Sequence, residues 1–230
     1  LASLLLPTLA KAKAKANKVK SKNNLKQIQN ALIMWSDDND GVTPGYKEKS
    51  HNSGYIEGSN FENNFWYHKV FNYASNADSI IVSPSTVIRT GDGVLWGNDK
   101  QCWQGWNRVP EVNNGKRVDG SYGYNGWCHH NMPEAVNENA YPYEKVYNTT
   151  SEGEPSKAPM LADSIWVDGW PRENNKAPST YHGSDESSMA RFCVDRHVGF
   201  VNVVFNDSHV EEVALADLWK LHWHKEWETP

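Results

Sequence analysis

Leu9-Ala10-Lys11-Ala12-Lys13-Ala14-Lys15-Ala16-Asn17-Lys18-Val19-Lys20-Ser21-Lys22-Asn23-Asn24-Leu25-Lys26-Gln27-Ile28-Gln29-Asn30-Ala31-Leu32-Ile33-Met34-Trp35-Ser36 has the spacing of one long helix. Leu9, Ala12, Ala16 and Val19 recur at intervals of 3, 4 and 3, and Leu25, Ile28, Leu32 and Trp35 continue the helical period. Lys11, Lys15, Lys18 and Lys22 form a separate basic stripe at intervals of 4, 3 and 4. Ala, Lys, Leu and Gln are good helix formers. The run closes at Asp37-Asp38-Asn39-Asp40-Gly41, where Gly41 is suited to end the helix. A helix of roughly 30 residues with so narrow an apolar stripe cannot bury itself in a small domain. Its second half is expected to pack on the rest of the chain and its first half on something else.

Upstream lies Leu1-Ala2-Ser3-Leu4-Leu5-Leu6-Pro7-Thr8. This apolar stretch is too short for a membrane span, which needs roughly 20 residues. It lacks the charged leading region of a signal peptide. It reads as the second half of a longer hydrophobic helix built on Leu4, Leu5, Leu6 and Leu9. Pro7 removes one N–H and crowds the preceding turn, so a kink or a local melt is expected there.

Charge divides the chain in the same place. Residues 1–26 hold seven lysines and no acid, which leaves 16 basic residues facing all 28 acids in the remainder, a balance of −12. A basic arm on an acidic body points to anionic lipid, nucleic acid or the body of a neighbouring copy. Hydrophobic residues make up 38% of the chain, enough for a folded core. The division places a helix over 1–41 and a globular head over 42–230.

The head reads as α+β, with the long helix laid against an antiparallel sheet. A short helix is expected over 60–71 and strands over 80–85, 120–125, 160–167 and 191–197. Residues 129–158 read as a long surface loop. Phe200-Val201-Asn202-Val203-Val204-Phe205, the turn Asn206-Asp207-Ser208, and His209-Val210-Glu211-Glu212-Val213 form a hairpin. The hairpin unit spans 190–213. Residues 214–227, with Trp219, Trp223 and Trp227 spaced by four, read as a short terminal helix.

The segments Leu1 to Pro7, Leu9-Ala10-Lys11-Ala12 and Asn24-Leu25-Lys26-Gln27-Ile28 resemble the mature amino-terminal region of type IV pilin-like proteins. Arg196-His197-Val198-Gly199, Asn202-Val203-Val204-Phe205 and Asp207-Ser208-His209-Val210 resemble the prepilin-associated H-X9-DG group. Nine residues separate His197 from Asp207, as in that motif. Pro159 to Asp163 and Leu218 to Trp223 also resemble segments of that group. The resemblance covers both ends and is weak in the middle. It implies a pilin or pseudopilin, with roughly 15 further apolar residues before Leu1 completing a span. It also implies an inner-membrane anchor before assembly and an extracellular or periplasmic filament of identical or related subunits afterwards. No enzymatic activity, nucleic acid or required cofactor follows from it. Calcium stays open, because some pseudopilins bind it, but no ligand set follows.

Two departures bear on structure. The motif's glycine is Ser208, so Asn206 or Asp207 is expected to take any left-handed position. Relatives often carry cysteines where Ser21 and Ser83 stand, which fits loss of a disulfide from helix to body. Of the three cysteines, Cys102 and Cys128 share the loop-rich middle and are the expected pair; Cys193 is the odd one.

His197, Asp207 and His209 suit a metal or an acid–base pair, but hydrogen bonds fixing the hairpin are the plainer reading. Cys128-His129-His130 offers adjacent soft ligands of poor geometry. Asp38-Asn39-Asp40-Gly41 looks like part of a calcium loop, yet Lys47 stands where such a loop needs its glutamate. The alternative function is a surface carbohydrate-binding module that presents Trp103, Trp106, Trp166 and Trp170 to glycans. A secreted hydrolase would need convergent carboxylates in a pocket.

Overall fold

The computed structural model describes residues 2–45, 65–90, 94–107, 117–130 and 142–230; within these, the side chains of 2–5 and 106–107 are outside the description. The first helix, α1, runs Ala2–Asp37, with Pro7 inside it. It passes through Pro7 unbroken, against the expected melt, because a single missing N–H costs the ladder one bond. Gly41 donates its N–H to the Ser36 carbonyl at 2.9 Å and takes a φ of 73°, closing the helix as expected.

The head is α+β. Two short helices follow, α2 at Trp66–Tyr73 and α3 at Ala77–Ile80. The expected helix over 60–71 thus begins at Trp66, and 60–64 lie outside the described residues. The expected strand over 80–85 is the end of α3 and a turn. The remaining elements are strands β1 (Trp103–Asn107), β2 (Arg117–Gly120), β3 (Tyr122–Asn125), β4 (Pro159–Asp163), β5 (Asp168–Gly169), β6 (Phe200–Phe205) and β7 (Val210–Ala214). β1 and β2 form a small antiparallel ribbon, and the other five form a sheet in the order β5-β3-β4-β6-β7. The sheet is mixed rather than wholly antiparallel, since β5 runs parallel to β3. The expected β6–β7 hairpin is present and pairs Phe200 with Ala214 through Val204 with Val210.

Three expectations fail for physical reasons. Residues 191–197 form a turn, irregular backbone and a bend rather than a strand, although Phe192, Cys193 and Val194 are buried. Residues 214–227 hold only a 3₁₀ stretch, Leu215–Lys220. Beyond it, the Trp223 indole donates to the Leu218 carbonyl at 2.8 Å, and the backbone N–H groups of His222 and Lys225 go to Lys157 and Lys145. Those bonds replace the i to i−4 ladder that a continued helix needs. Within 129–158, Val146, Tyr147 and Ala158 are buried, and Tyr147 bridges to Cys128, so the described part is structural; 131–141 lie outside the described residues.

α1 packs on α2 and α3 and crosses β4, β6 and β7. Its buried seam is Ser21, Asn24, Leu25, Ile28, Gln29, Ala31, Leu32 and Ser36. Burying Leu25, Ile28 and Leu32 contributes about 1.5–3 kcal/mol each. Every residue from Leu6 to Ala16 is exposed.

Candidate functional site

The basic stripe meets the head at the hairpin. Lys18 and Lys22, one turn apart, reach the two oxygens of Glu212 on β7 at 2.7 and 3.6 Å. The Lys18 ammonium also lies 5.5 Å from the centre of the Phe200 ring. Lys26 donates to the Ser208 carbonyl at 2.6 Å. The hydrogen bond from Lys18 and the two positive charges hold the Glu212 carboxyl below its ordinary range. Lys11 and Lys15 lie beyond this clasp and are exposed. Leu6 and Leu9 are each 67% exposed. The side chains of Leu4 and Leu5 lie outside the described residues. No helix among the described residues is long and apolar enough to cross a membrane.

Deeper in the head, the motif residues separate. His197 sits before β6 and Asp207 after it, and a strand of this length spans roughly 17–20 Å. The partner of His197 is Asp163 at the end of β4, with Nε2 3.0 Å from Oδ2. The same carboxylate oxygen accepts the backbone N–H of Asn202 at 2.9 Å, fixing β6 beside β4. Arg196 lies 3.7 Å from Asp163 and donates to the carbonyls of Asn98, Ser121 and Ser164. One buried guanidinium thus ties three separate segments together. Sequence reasoning missed Asp163 and Arg196 as partners. The only signal was their place in the segments that carry the resemblance.

At the other end of β6, Asp207 accepts from the His209 ring at 2.6 Å and from its backbone N–H at 3.1 Å. The His209 ring stacks on Phe205 with centroids 4.2 Å apart. The left-handed position falls on Ser208 itself, with a φ of 72°, and not on Asn206 or Asp207. The turn before β6 has a second such residue, Val198, at a φ of 59°. A β-branched residue in that region is strained.

The helix is also tied to the head through Tyr122 on β3. Its hydroxyl lies 2.9 Å from the Ser21 hydroxyl. Asn24 donates to the Val82 carbonyl at 3.1 Å. Burial and the Asp163 charge push the phenol far above its ordinary value, so it stays protonated. Of the two serines singled out in the sequence, Ser21 reaches this hydroxyl, and Ser83 is buried in the turn after α3, where its hydroxyl accepts the Ser85 N–H at 3.3 Å.

The expected Cys102–Cys128 disulfide is absent, and all three cysteines are buried free thiols. Cys102 precedes β1, whereas Cys128 turns its sulfur to the Pro159 carbonyl and the Asn206 amide oxygen, each at 3.6 Å. Burial raises all three thiols, Cys193 to about 12. The neighbours of Cys128 do not converge with it. The His129 ring contacts the His130 carbonyl, and the His130 ring contacts the Thr43 carbonyl. Asp38 accepts from the Tyr73 hydroxyl at 2.8 Å, and Asn39 donates to the Trp35 carbonyl, so 38–41 form a helix-ending turn. Among the described residues, no three His, Cys, Asp or Glu side chains are grouped so as to hold a metal.

The tryptophans proposed for a glycan face are mostly interior. Trp103 is fully buried and donates to the Tyr122 carbonyl, and Trp170 is buried against Trp127. Trp166 is half-buried and stacks on Trp96 at 4.2 Å. The side chain of Trp106 lies outside the described residues. No family model, curated protein or solved structure matches this chain.

Proposed function

We propose that this chain is a structural subunit of a type IV pilus-like filament or a secretion pseudopilus, assembled through its amino-terminal helix. One observation carries this reading. A single helix of 36 residues has its second half sunk into the head and every one of residues 6–16 exposed, with Leu6 and Leu9 among them. An isolated helical arm in water is marginally stable. An arm with exposed leucines gains by packing against apolar surface, whether a bilayer before assembly or other arms within a filament. The head supports the same role. Its motif residues are spent on fixing β4, β6 and α1, so the unit that the arm carries is rigid. The subunit is anchored at the inner membrane before assembly and lies in an extracellular or periplasmic filament afterwards.

The test is intact mass and amino-terminal sequencing of the chain sheared from its native cells. An N-methylated terminus upstream of Leu1, in a sedimentable filament fraction, supports the reading. A soluble monomer that begins at a conventional signal-peptide cut refutes it.

A further inference from the structure

We infer that the exposed lysine pair Lys11 and Lys15 is a docking site for the acidic head of a second copy of this chain, so that assembly is keyed by charge as well as by apolar packing. The inference rests on the filament reading and names the partner of the exposed arm. The chain itself shows how its helix lysines recognise its head. Lys18 and Lys22 stand four residues apart and take the two oxygens of one carboxylate, Glu212, at 2.7 and 3.6 Å. Lys11 and Lys15 repeat that spacing one seven-residue interval earlier. Seven helical residues advance about 10 Å along the axis. At that distance the chain's own head no longer covers the helix, and both lysines are exposed.

Charge complementarity selects the occupant. The arm is purely basic over its first 26 residues, and the rest of the chain carries a balance of −12. A second copy therefore brings the acidic surface that the pair lacks. The contact joins two different surfaces, arm to head. Such a heterologous contact propagates into a ring or an open filament rather than closing on a dimer. The lysines of one copy and the head of the next would then supply order and polarity to an arm whose apolar contacts are non-directional.

The experiment uses the full-length chain, as an equimolar mixture of ¹⁵N-labelled and unlabelled copies, assembled and then treated with a zero-length carbodiimide. Mixed-isotope links from Lys11 or Lys15 to a head carboxylate are expected, alongside same-isotope links from Lys18 or Lys22 to Glu212. In the double variant Lys11→Gln, Lys15→Gln the mixed links disappear, and the sedimentable fraction falls roughly tenfold at low salt. High salt reduces wild-type assembly in the same direction. Circular dichroism and the retained Glu212 links report that the variant head is folded. If the variant assembles like wild type, the docking inference is wrong while the filament reading stands. If the wild-type chain forms no sedimentable assembly, the filament reading fails and takes the inference with it. Variant-sensitive binding to anionic vesicles without mixed-isotope links assigns the pair to lipid and overturns the inference.

Discussion

The two halves of α1 share one helical period and differ in what covers them. Residues 21–36 bury Leu25, Ile28 and Leu32 in the core and pin Ser21 and Asn24 to the head. Residues 6–16 belong to the same unbroken helix and carry leucines and lysines, yet every one is exposed. Helical periodicity is thus a property of both halves, whereas burial belongs to one. The boundary falls where Lys18 and Lys22 clasp Glu212. A side chain on the covered half contributes to the stability of the chain, and one on the open half contributes little to it.

That contrast has measurable consequences. The largest effect is expected from Asp163→Ala, which leaves Arg196 and His197 buried without their carboxylate. Loss of one partner from such a network costs about 3–5 kcal/mol, read by urea unfolding of the head. Next comes the paired comparison of Leu32→Ala with Leu9→Ala. The first should cost about 2–5 kcal/mol and the second at most about 0.5 kcal/mol in the unassembled chain. An equal cost at both sites would mean that the arm is already packed in the free subunit.

The turns flanking β6 should respond in the opposite direction. Val198→Gly and Ser208→Gly each relieve a left-handed backbone, and a gain of about 1 kcal/mol is expected from each in chemical denaturation. No gain at Ser208 would indicate that its conformation is held without strain.

The smallest effect concerns pH. The Glu212 carboxyl is held below its ordinary value in the folded chain, so its clasp with Lys18 and Lys22 contributes fully above the ordinary carboxylate range. That contribution is lost as pH falls through the lower folded value. Glu212→Gln should remove this acid-side dependence and cost a few tenths of a kcal/mol, since the pair is partly exposed.

Much of the fold was legible in the sequence. The intervals among Leu25, Ile28 and Leu32 located the buried seam, and two runs joined by the polar turn Asn206-Asp207-Ser208 located the hairpin. What stayed hidden was decided by side chains that capture backbone groups far away in the chain. Arg196 reaches carbonyls at Asn98, Ser121 and Ser164, and the backbone N–H groups of the buried Phe192, Cys193 and Val194 go to the nearby Met189, Ala190 and Phe192 carbonyls rather than to a strand ladder. Tryptophans spaced by four suggested a terminal helix, but the Trp223 and Trp227 indoles take the Leu218 and Trp219 carbonyls instead. The pairing of His197 with Asp163 was equally invisible, because a nine-residue spacing to Asp207 records a motif and not a contact. The expected cysteine pair rested on shared loop character, which carries no distance.

The exposed arm is the central claim, and hydrogen exchange along α1 tests it most directly. In the unassembled chain, amides 6–16 should exchange orders of magnitude faster than amides 24–34, and assembly should slow the first group while leaving the second unchanged. Arm amides as protected in the free chain as those of the buried half, with no change on assembly, would contradict it.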